Sequence, residues 1–150
     1  MYQHGLLTPV VALILWSLIV WIWLYATRIP GMRKARVRAE EGAYARELNA
    51  KMPPWARSVA DNYNHLMEQP TIFYATCFVL QFLDQTQPIN IGLAWTYVVL
   101  RIAHTLVQAT FNHVMTRFAL FTLSTLVLMA LAVHAAIGVG MIDFSFVHGE

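Results

Sequence analysis

An uncharged apolar run near the start of the chain limits the possible folds more than any other feature. No charged side chain occurs between Thr8 and Thr27. At about 1.5 Å of rise per residue, a helix over this run is long enough to cross a hydrocarbon core of about 30 Å. No basic residue precedes the run and no small-residue cleavage site follows it, which disfavours a cleaved signal peptide. The run therefore predicts a membrane-spanning helix.

The rest of the chain repeats this pattern. Hydrophobic residues make up 58% of the sequence and charged residues 12%, whereas about a quarter of the residues in a soluble domain are charged. Three further apolar stretches of near-spanning length predict an all-α integral membrane four-helix bundle, with residues 1–150 forming a single domain. The spans are predicted at about residues 8–27, 59–83, 91–111 and 118–139, with a polar cytoplasmic loop at 28–57 that is long enough to hold a short amphipathic helix.

Basic residues are concentrated in that first loop. Of the ten Lys and Arg residues, all but Arg101 and Arg117 lie between Arg28 and Arg57. By the positive-inside rule, this distribution places the first and third connections in the cytoplasm and both termini outside. We expect the loop to attract the anionic headgroups of the lipid bilayer, with a recruited acidic partner as the alternative, and the charge requires no nucleic-acid partner.

Polar side chains recur at spacings of three and four along the second and third predicted helices, so that each helix has one polar face. The second helix contributes Asp61, Asn64, His65 and Glu68, and the third contributes Tyr97, Arg101, His104, Thr105, Gln108 and Asn112. Counted from the cytoplasmic ends, Glu68 and Arg101 both lie about 15 Å deep, which predicts an ion pair. Pro70 is expected to free a backbone carbonyl and to kink the helix there.

These polar faces are expected to converge on a cavity in the cytoplasmic half, where Arg117 begins the fourth helix. A charge in the bilayer costs about 2.5 to 3.5 kcal/mol, so such groups mark a functional site by default. A simpler interpretation of these polar residues is that Glu68 and Arg101 form a pair that only fixes the register of the two helices. The ligand that suits two arginines, amides and a carboxylate is a small zwitterion with carboxylates and an amine.

Two stretches of the sequence carry a resemblance to a known family. "DNYNHLMEQPTIFY" at residues 61–74 and "RIAHTLVQATFNHVMTRF" at residues 101–118 resemble the MAPEG family, the membrane-associated proteins in eicosanoid and glutathione metabolism, and in particular its bacterial branch. The chain length, the four helices and the basic first loop agree with this family. The resemblance implies a homotrimer in a bacterial inner membrane that binds glutathione between neighbouring subunits near the cytoplasmic face.

The resemblance also implies roles for individual residues. Glu68 is expected to contact the glutathione amine, and either Asn64 or His65 to take the place of a motif asparagine. The catalytic residue implied is Arg117, which stabilises the glutathione thiolate. The implied glutathione-binding residues are Asn64, His65, Glu68, Arg101, His104 and Gln108.

The resemblance leaves two functions open. The first is a glutathione-dependent transferase or peroxidase that acts on a lipophilic small molecule. The second is a non-catalytic membrane module, either a lipid binder or an accessory subunit of a larger membrane complex. Departures from the family pattern motivate the second: Asp61 and Asn62 replace arginines, Gln108 stands where some members have a tyrosine, and Phe121 offers no hydroxyl near Arg117.

Metal or haem binding is a third interpretation, since His65, Glu68 and His104 could approach one another. This set lacks a clear further ligand, and His134 is expected in the outer half of the fourth helix, so the sequence predicts no metal site. The single cysteine, Cys77, excludes an intramolecular disulfide and a cysteine-based zinc cluster. Gly-rich phosphate loops and the G-x-S-x-G and H-E-x-x-H motifs do not occur, which argues against nucleotide binding, serine hydrolysis and zinc proteolysis.

Overall fold

The computed structural model describes residues 5–38 and 45–142, and every regular element in these ranges is an α-helix. The helices are α1 (Leu7–Ala35), α2 (Ala45–Lys51), α3 (Pro54–Leu66), α4 (Pro70–Phe82), α5 (Pro88–Ala109) and α6 (Val114–Gly138). Among them α1, α5 and α6 are long and apolar enough to cross a membrane. The all-α prediction is confirmed. The two termini, predicted to lie outside the cytoplasm, fall beyond the described residues.

The first helix is longer than the predicted span. It continues past residue 27 and through Pro30 to Ala35, although proline removes one backbone hydrogen bond. Gly31 is buried just after this proline, where a Cβ would lie 2.9 Å from the Cβ of Ala56 and 2.7 Å from the Cε of Met52. This close packing holds the end of α1 against the start of α3. The predicted loop at 28–57 therefore contains the last turns of α1, the short helix α2 and the first turn of α3.

The predicted span at residues 59–83 is two helices of 13 residues each. At about 20 Å, neither α3 nor α4 is long enough to cross a bilayer alone. Pro70 occupies the first position of α4, where its missing N–H costs nothing, but it cannot donate to the carbonyl of Leu66 as a continuous helix would require. The predicted continuous helix with a kink at Pro70 is therefore wrong in one respect: the helix ends at Leu66 and a new helix begins at Pro70.

The helices pack into one bundle in which α5 contacts α6, α3 and α1, while α4 contacts α6 and α1. We call the end where α1 finishes and α3 begins the basic end, since Arg33, Lys34, Arg36 and Arg57 are exposed there. The opposite, terminal end is where α1 and α5 begin and where α4 and α6 finish. The basic half extends from the basic end to the break between α3 and α4, which comprises residues 67–69. The terminal half contains the main apolar core, formed by side chains such as Leu13, Phe73, Leu80 and Leu131.

Candidate anion-binding site

Arg101 holds the break between α3 and α4 together. Its side chain is fully buried on α5. Its Nη2 donates hydrogen bonds of 2.8 Å to the carbonyl of His65 and 2.9 Å to the carbonyl of Leu66. These carbonyls lie at the end of α3, where helical partners run out and the helix dipole is negative. The guanidinium thus takes the carbonyl that Pro70 leaves free.

The predicted ion pair between Glu68 and Arg101 is wrong. The Glu68 carboxylate instead lies 2.9 Å from Nδ1 of His65, and its side chain is 53% exposed. The reason is local: the depth estimate assumed a continuous helix, but α3 ends at Leu66 and Glu68 lies in the break. Arg101 therefore reaches the backbone of the break, while the carboxylate faces outward.

A group of rings assembles beside Arg101. The ring of Phe121 stacks on His65 with centroids 4.7 Å apart, and the rings of His65 and His104 are 5.2 Å apart. The Arg101 guanidinium carbon lies 5.7 Å from the Phe121 centroid, within the range of a cation–π interaction. The predicted match in depth between His65 and His104 is confirmed.

Arg117 approaches the same rings from the start of α6. Asn112 adopts a left-handed conformation with φ of 50°, which asparagine tolerates, and so turns the chain between α5 and α6. The His113 ring then accepts a hydrogen bond from the backbone N–H of Thr116 and caps α6. Arg117 is half-buried in the first turn of this helix, and its Nη1 donates to Oδ1 of Asn112.

A cavity of about 330 Å³ lies where these elements meet. Its lining residues are His65, His104, Val114, Arg117, Phe118 and Phe121. Four buried nitrogen atoms at or beside it have no hydrogen-bond partner within the described residues: Nε and Nη1 of Arg101, Nε of Arg117 and Nε2 of His104. Unpaired polar groups are costly in a protein interior, and costlier in a bilayer. Because both guanidinium groups can only donate, their natural ligand is an anion.

A comparison with known families identifies the family of the chain. The model of the MAPEG family matches residues 6–137, which include all the helices described up to the last turn of α6. The chain belongs to the MAPEG family. No curated protein and no solved structure gives a significant match.

The predicted site residues of this MAPEG chain separate into two groups. His65, His104 and Arg117 line the cavity, and Arg101 lies against its Phe121 wall. Asn64 is exposed on α3, Glu68 faces outward from the break, and Gln108 is buried on α5 without lining the cavity. Of the two candidates for the motif asparagine, His65 is therefore the one at the cavity.

Sequence analysis missed two polar residues of this MAPEG chain that the fold buries or connects. Asn62 is fully buried, and neither atom of its amide has a partner. A signal was present, since Asn62 lies three residues after Val59 and four before Leu66, both on the apolar stripe of α3. Gln69 lies in the break and donates from Nε2 to Oγ1 of Thr125 at 2.9 Å, a contact that has no sequence signal.

A metal centre finds no support in the geometry of the MAPEG chain. Within residues 5–38 and 45–142, no group of three or more His, Cys, Asp and Glu side chains could hold a metal ion. His134, considered above as a haem ligand, forms a hydrogen bond with Asn90 near the terminal end. His65 instead pairs with Glu68 and packs against aromatic rings.

Proposed function

We propose that the cavity binds glutathione and that the protein is a glutathione-dependent membrane enzyme, a transferase or peroxidase for a lipophilic substrate. The observation that carries this proposal is a pair of guanidinium groups with unpaired buried N–H donors: Arg117 lines the cavity, and Arg101 packs against its Phe121 wall. Glutathione supplies carboxylates and a thiol that suit such donors, and an ammonium group that suits Glu68. Membership of the MAPEG family supports the same ligand.

In this proposal α3 and α4 cross the bilayer together as one interrupted span, so that the chain crosses four times. The exposed Arg33, Lys34, Arg36 and Arg57 support a cytoplasmic position for the basic end, with both termini outside. A bacterial inner membrane satisfies this orientation. Glutathione then enters the cavity from the cytoplasm.

A homotrimer forms part of the same proposal. The Glu68 side chain is 53% exposed at the level of the break. A carboxylate is unfavourable against lipid, so this surface needs a polar cover. A neighbouring subunit provides that cover, and glutathione bound between subunits places its ammonium against Glu68.

The proposed chemistry begins with the thiol of glutathione. The S–H bond gives up its proton, and the Arg117 guanidinium stabilises the resulting thiolate. The thiolate attacks an electrophilic carbon, a C–S bond forms, and the leaving group departs with its electron pair. With a hydroperoxide, the thiolate attacks the terminal oxygen, an S–O bond forms and the O–O bond breaks, and the leaving alkoxide takes up a proton to become an alcohol. A second glutathione then reduces the resulting sulfenic acid, which gives glutathione disulfide and water. The lipophilic substrate reaches the cavity past Val114 and Phe118, which line it and are 66% and 65% exposed.

Titration calorimetry on the protein in lipid nanodiscs tests glutathione binding. We expect saturable heat with glutathione and at least tenfold weaker binding to Arg117→Ala, because one charge-assisted contact to the ligand is lost. Arg57→Ala is the matched control, since Arg57 is an exposed arginine of α3. Absence of binding at millimolar glutathione would overturn the proposal.

The alternative function is a non-catalytic module, either a lipid binder or an accessory subunit of a larger membrane complex. The observation that favours it is Phe121, whose ring packs against His65 and Arg101 and offers the thiolate no hydroxyl. Purification at fixed stoichiometry with another membrane complex, without glutathione turnover, supports this alternative. An isolated homotrimer that turns over glutathione contradicts it.

A further inference from the structure

A second set of unpaired polar atoms lies inside the bundle, away from the cavity. It comprises the hydroxyls of Tyr97 and Thr105, Oε1 of Gln108, and both amide atoms of Asn62. All four side chains are 3% exposed or less. The cavity lining includes none of them. Their polarity is therefore not explained by the anion-binding site.

By residue count these side chains form one column along α5: Thr105 and Gln108 lie on the part of α5 beside α3, which carries Asn62, whereas Tyr97 lies beyond the end of α3, with its ring stacked on Phe73 of α4. The bonds from Arg101 to the carbonyls of His65 and Leu66 fix the register of the two helices. Asn62 lies one turn from Leu66 toward the basic end, and Thr105 lies one turn from Arg101 in the same direction, so the two are level. Gln108 extends the column toward the basic end, and Tyr97 extends it toward the terminal end. The column from Tyr97 to Gln108 is about 16 Å long.

Apolar neighbours cannot satisfy these groups. A buried amide or hydroxyl without a hydrogen bond costs roughly 1 to 3 kcal/mol. A buried water typically makes about three hydrogen bonds to such groups. The column offers a donor and an acceptor at Asn62 and an acceptor at Gln108, and its two hydroxyls can act as either. This mixture suits water and does not suit an anion, which would lie beside two acceptor oxygens.

We propose that the column holds a file of bound water molecules, and that this file carries the thiol proton from the cavity to the basic end of the protein. The proton transfer rests on the proposed function, whereas the water file does not. In this proposal His104 joins the two sites, because its ring lines the cavity and its Nε2 is buried without a partner within the described residues.

The transfer balances without any further reactant. The S–H electron pair stays on sulfur, and the proton passes to the His104 imidazole. The imidazole then gives a proton to the adjacent water. A proton leaves the other end of the file beside Gln108, which restores neutral His104. No bond other than S–H and the hydrogen bonds of the file changes.

The water file is tested on the protein without glutathione. Water-edited NMR in lipid measures magnetisation transfer from water to side-chain amide protons. The exposed Asn64 amide is the wet reference within the same helix. We expect the Asn62 and Gln108 amides to receive magnetisation within threefold of the Asn64 rate. A rate at least tenfold slower at both amides overturns the file, whatever the outcome with glutathione.

Proton transfer is tested with a hydroxyl deletion of nearly constant shape. We expect Thr105→Val to slow proton release on glutathione binding at least tenfold in stopped-flow measurements with a pH indicator, with the Kd for glutathione within twofold of wild type. Thr105→Ser is expected to restore the rate. Thr96→Val is the matched control, because Thr96 is exposed on the same helix and its hydroxyl bonds to the carbonyl of Gly92.

The outcomes separate the two proposals. A wild-type rate of proton release in Thr105→Val overturns the column as the route. A rate equally slow in Thr105→Val and Thr105→Ser also overturns it, because the hydroxyl would then be irrelevant. Failure of the wild-type protein to bind glutathione overturns both the proposed function and the proton transfer, while the NMR measurement still decides the water file.

Discussion

The two halves of the bundle treat buried polar groups in opposite ways. In the terminal half, Asn90 is 3% exposed and its amide is fully engaged. Nδ2 donates to the carbonyl of Gln85 at 2.8 Å and to Oε1 of Gln87 at 3.0 Å, and Oδ1 faces Nδ1 of His134. Because an amide oxygen can only accept, Nδ1 of His134 is the donor in this contact.

The basic half leaves most of its buried polar groups unpaired. Within the described residues, Trp16 and Tyr97 alone have such atoms outside this half. The basic half contains Arg101, His104, Thr105 and other side chains with unpaired atoms. A bundle that needed only stability would pair or replace them, since each costs free energy in a bilayer. The contrast is consistent with a terminal half that holds the helices together, and it supports the proposals that the basic half binds a ligand and water.

The largest effect is expected where the basic half itself depends on a paired group. Arg101→Leu removes two charge-assisted hydrogen bonds, leaves the Leu66 carbonyl without a donor, and leaves the His65 carbonyl with only the Glu68 N–H at 3.4 Å. We expect the free energy of unfolding to fall by about 3 kcal/mol or more. Reversible unfolding in mixed micelles measures it, with Arg57→Leu, an exposed site, as control. An equal, small effect of both variants would show that Arg101 does not hold the break.

The second prediction compares one asparagine from each half. Asn90→Leu leaves the Gln85 carbonyl and the His134 ring without partners, so we expect a loss of about 2 kcal/mol in the free energy of unfolding. Asn62→Leu removes an amide that has no partner within the chain, so we expect a change of about 0.5 kcal/mol or less. The same micelle assay measures both. A larger loss of stability in Asn62→Leu than in Asn90→Leu would contradict the contrast between the halves.

The third prediction concerns the packing that supports the basic half. Gly31→Ala places a methyl group 2.9 Å from the Cβ of Ala56, and the two helices cannot separate without losing contacts. We expect destabilisation of about 1 to 2 kcal/mol. Gly92→Ala is the matched control on α5, where a Cβ meets nothing within 4 Å, and we expect a gain of about 0.5 to 1 kcal/mol. Thermal unfolding in nanodiscs measures the stability change of each variant. An increase in stability for both variants would contradict the close contact between Gly31 and Ala56.

The smallest effect is expected at the link from the break to α6. Gln69 donates to Oγ1 of Thr125 at 2.9 Å, a neutral hydrogen bond. A double-mutant cycle with Gln69→Leu and Thr125→Val isolates this bond, and we expect a coupling free energy of about 1 kcal/mol. Strictly additive effects on unfolding would mean that the break is not attached to α6 through this pair.

The sequence was sufficient for the features that depend on local composition. The length of the apolar runs predicted three of the spans. Pro70 predicted a disturbed helix beside the site, because a proline removes a backbone hydrogen bond wherever it occurs. The matched depths of His65 and His104 followed from residue counts along helices that run in opposite directions. Family membership was carried by residue types at helical spacing.

Features that depend on packing could not be predicted in the same way. The packing of α1 past Pro30 depends on the close approach of Gly31 to Ala56, two residues that are distant in the chain. The partner of Arg101 depends on where α3 ends. The Leu66 carbonyl, which Arg101 binds, and the Glu68 carboxylate, which it was predicted to bind, are only two residues apart. Whether Asn62 or Asn64 faces inward depends on how α3 is rotated against its neighbours. Each of these outcomes is decided by tertiary contacts that helical periodicity does not contain.

The central claim is that the unpaired guanidinium donors of the basic half bind glutathione, and NMR of the arginine side chains tests it most directly. The Nε–H signals of Arg101 and Arg117 are followed in nanodiscs as glutathione is added, with the exposed Arg57 as the internal control. We expect the Arg101 and Arg117 signals to shift with one saturable Kd that equals the calorimetric value, while the Arg57 signal does not move. Unchanged Arg101 and Arg117 signals at saturating glutathione would contradict it.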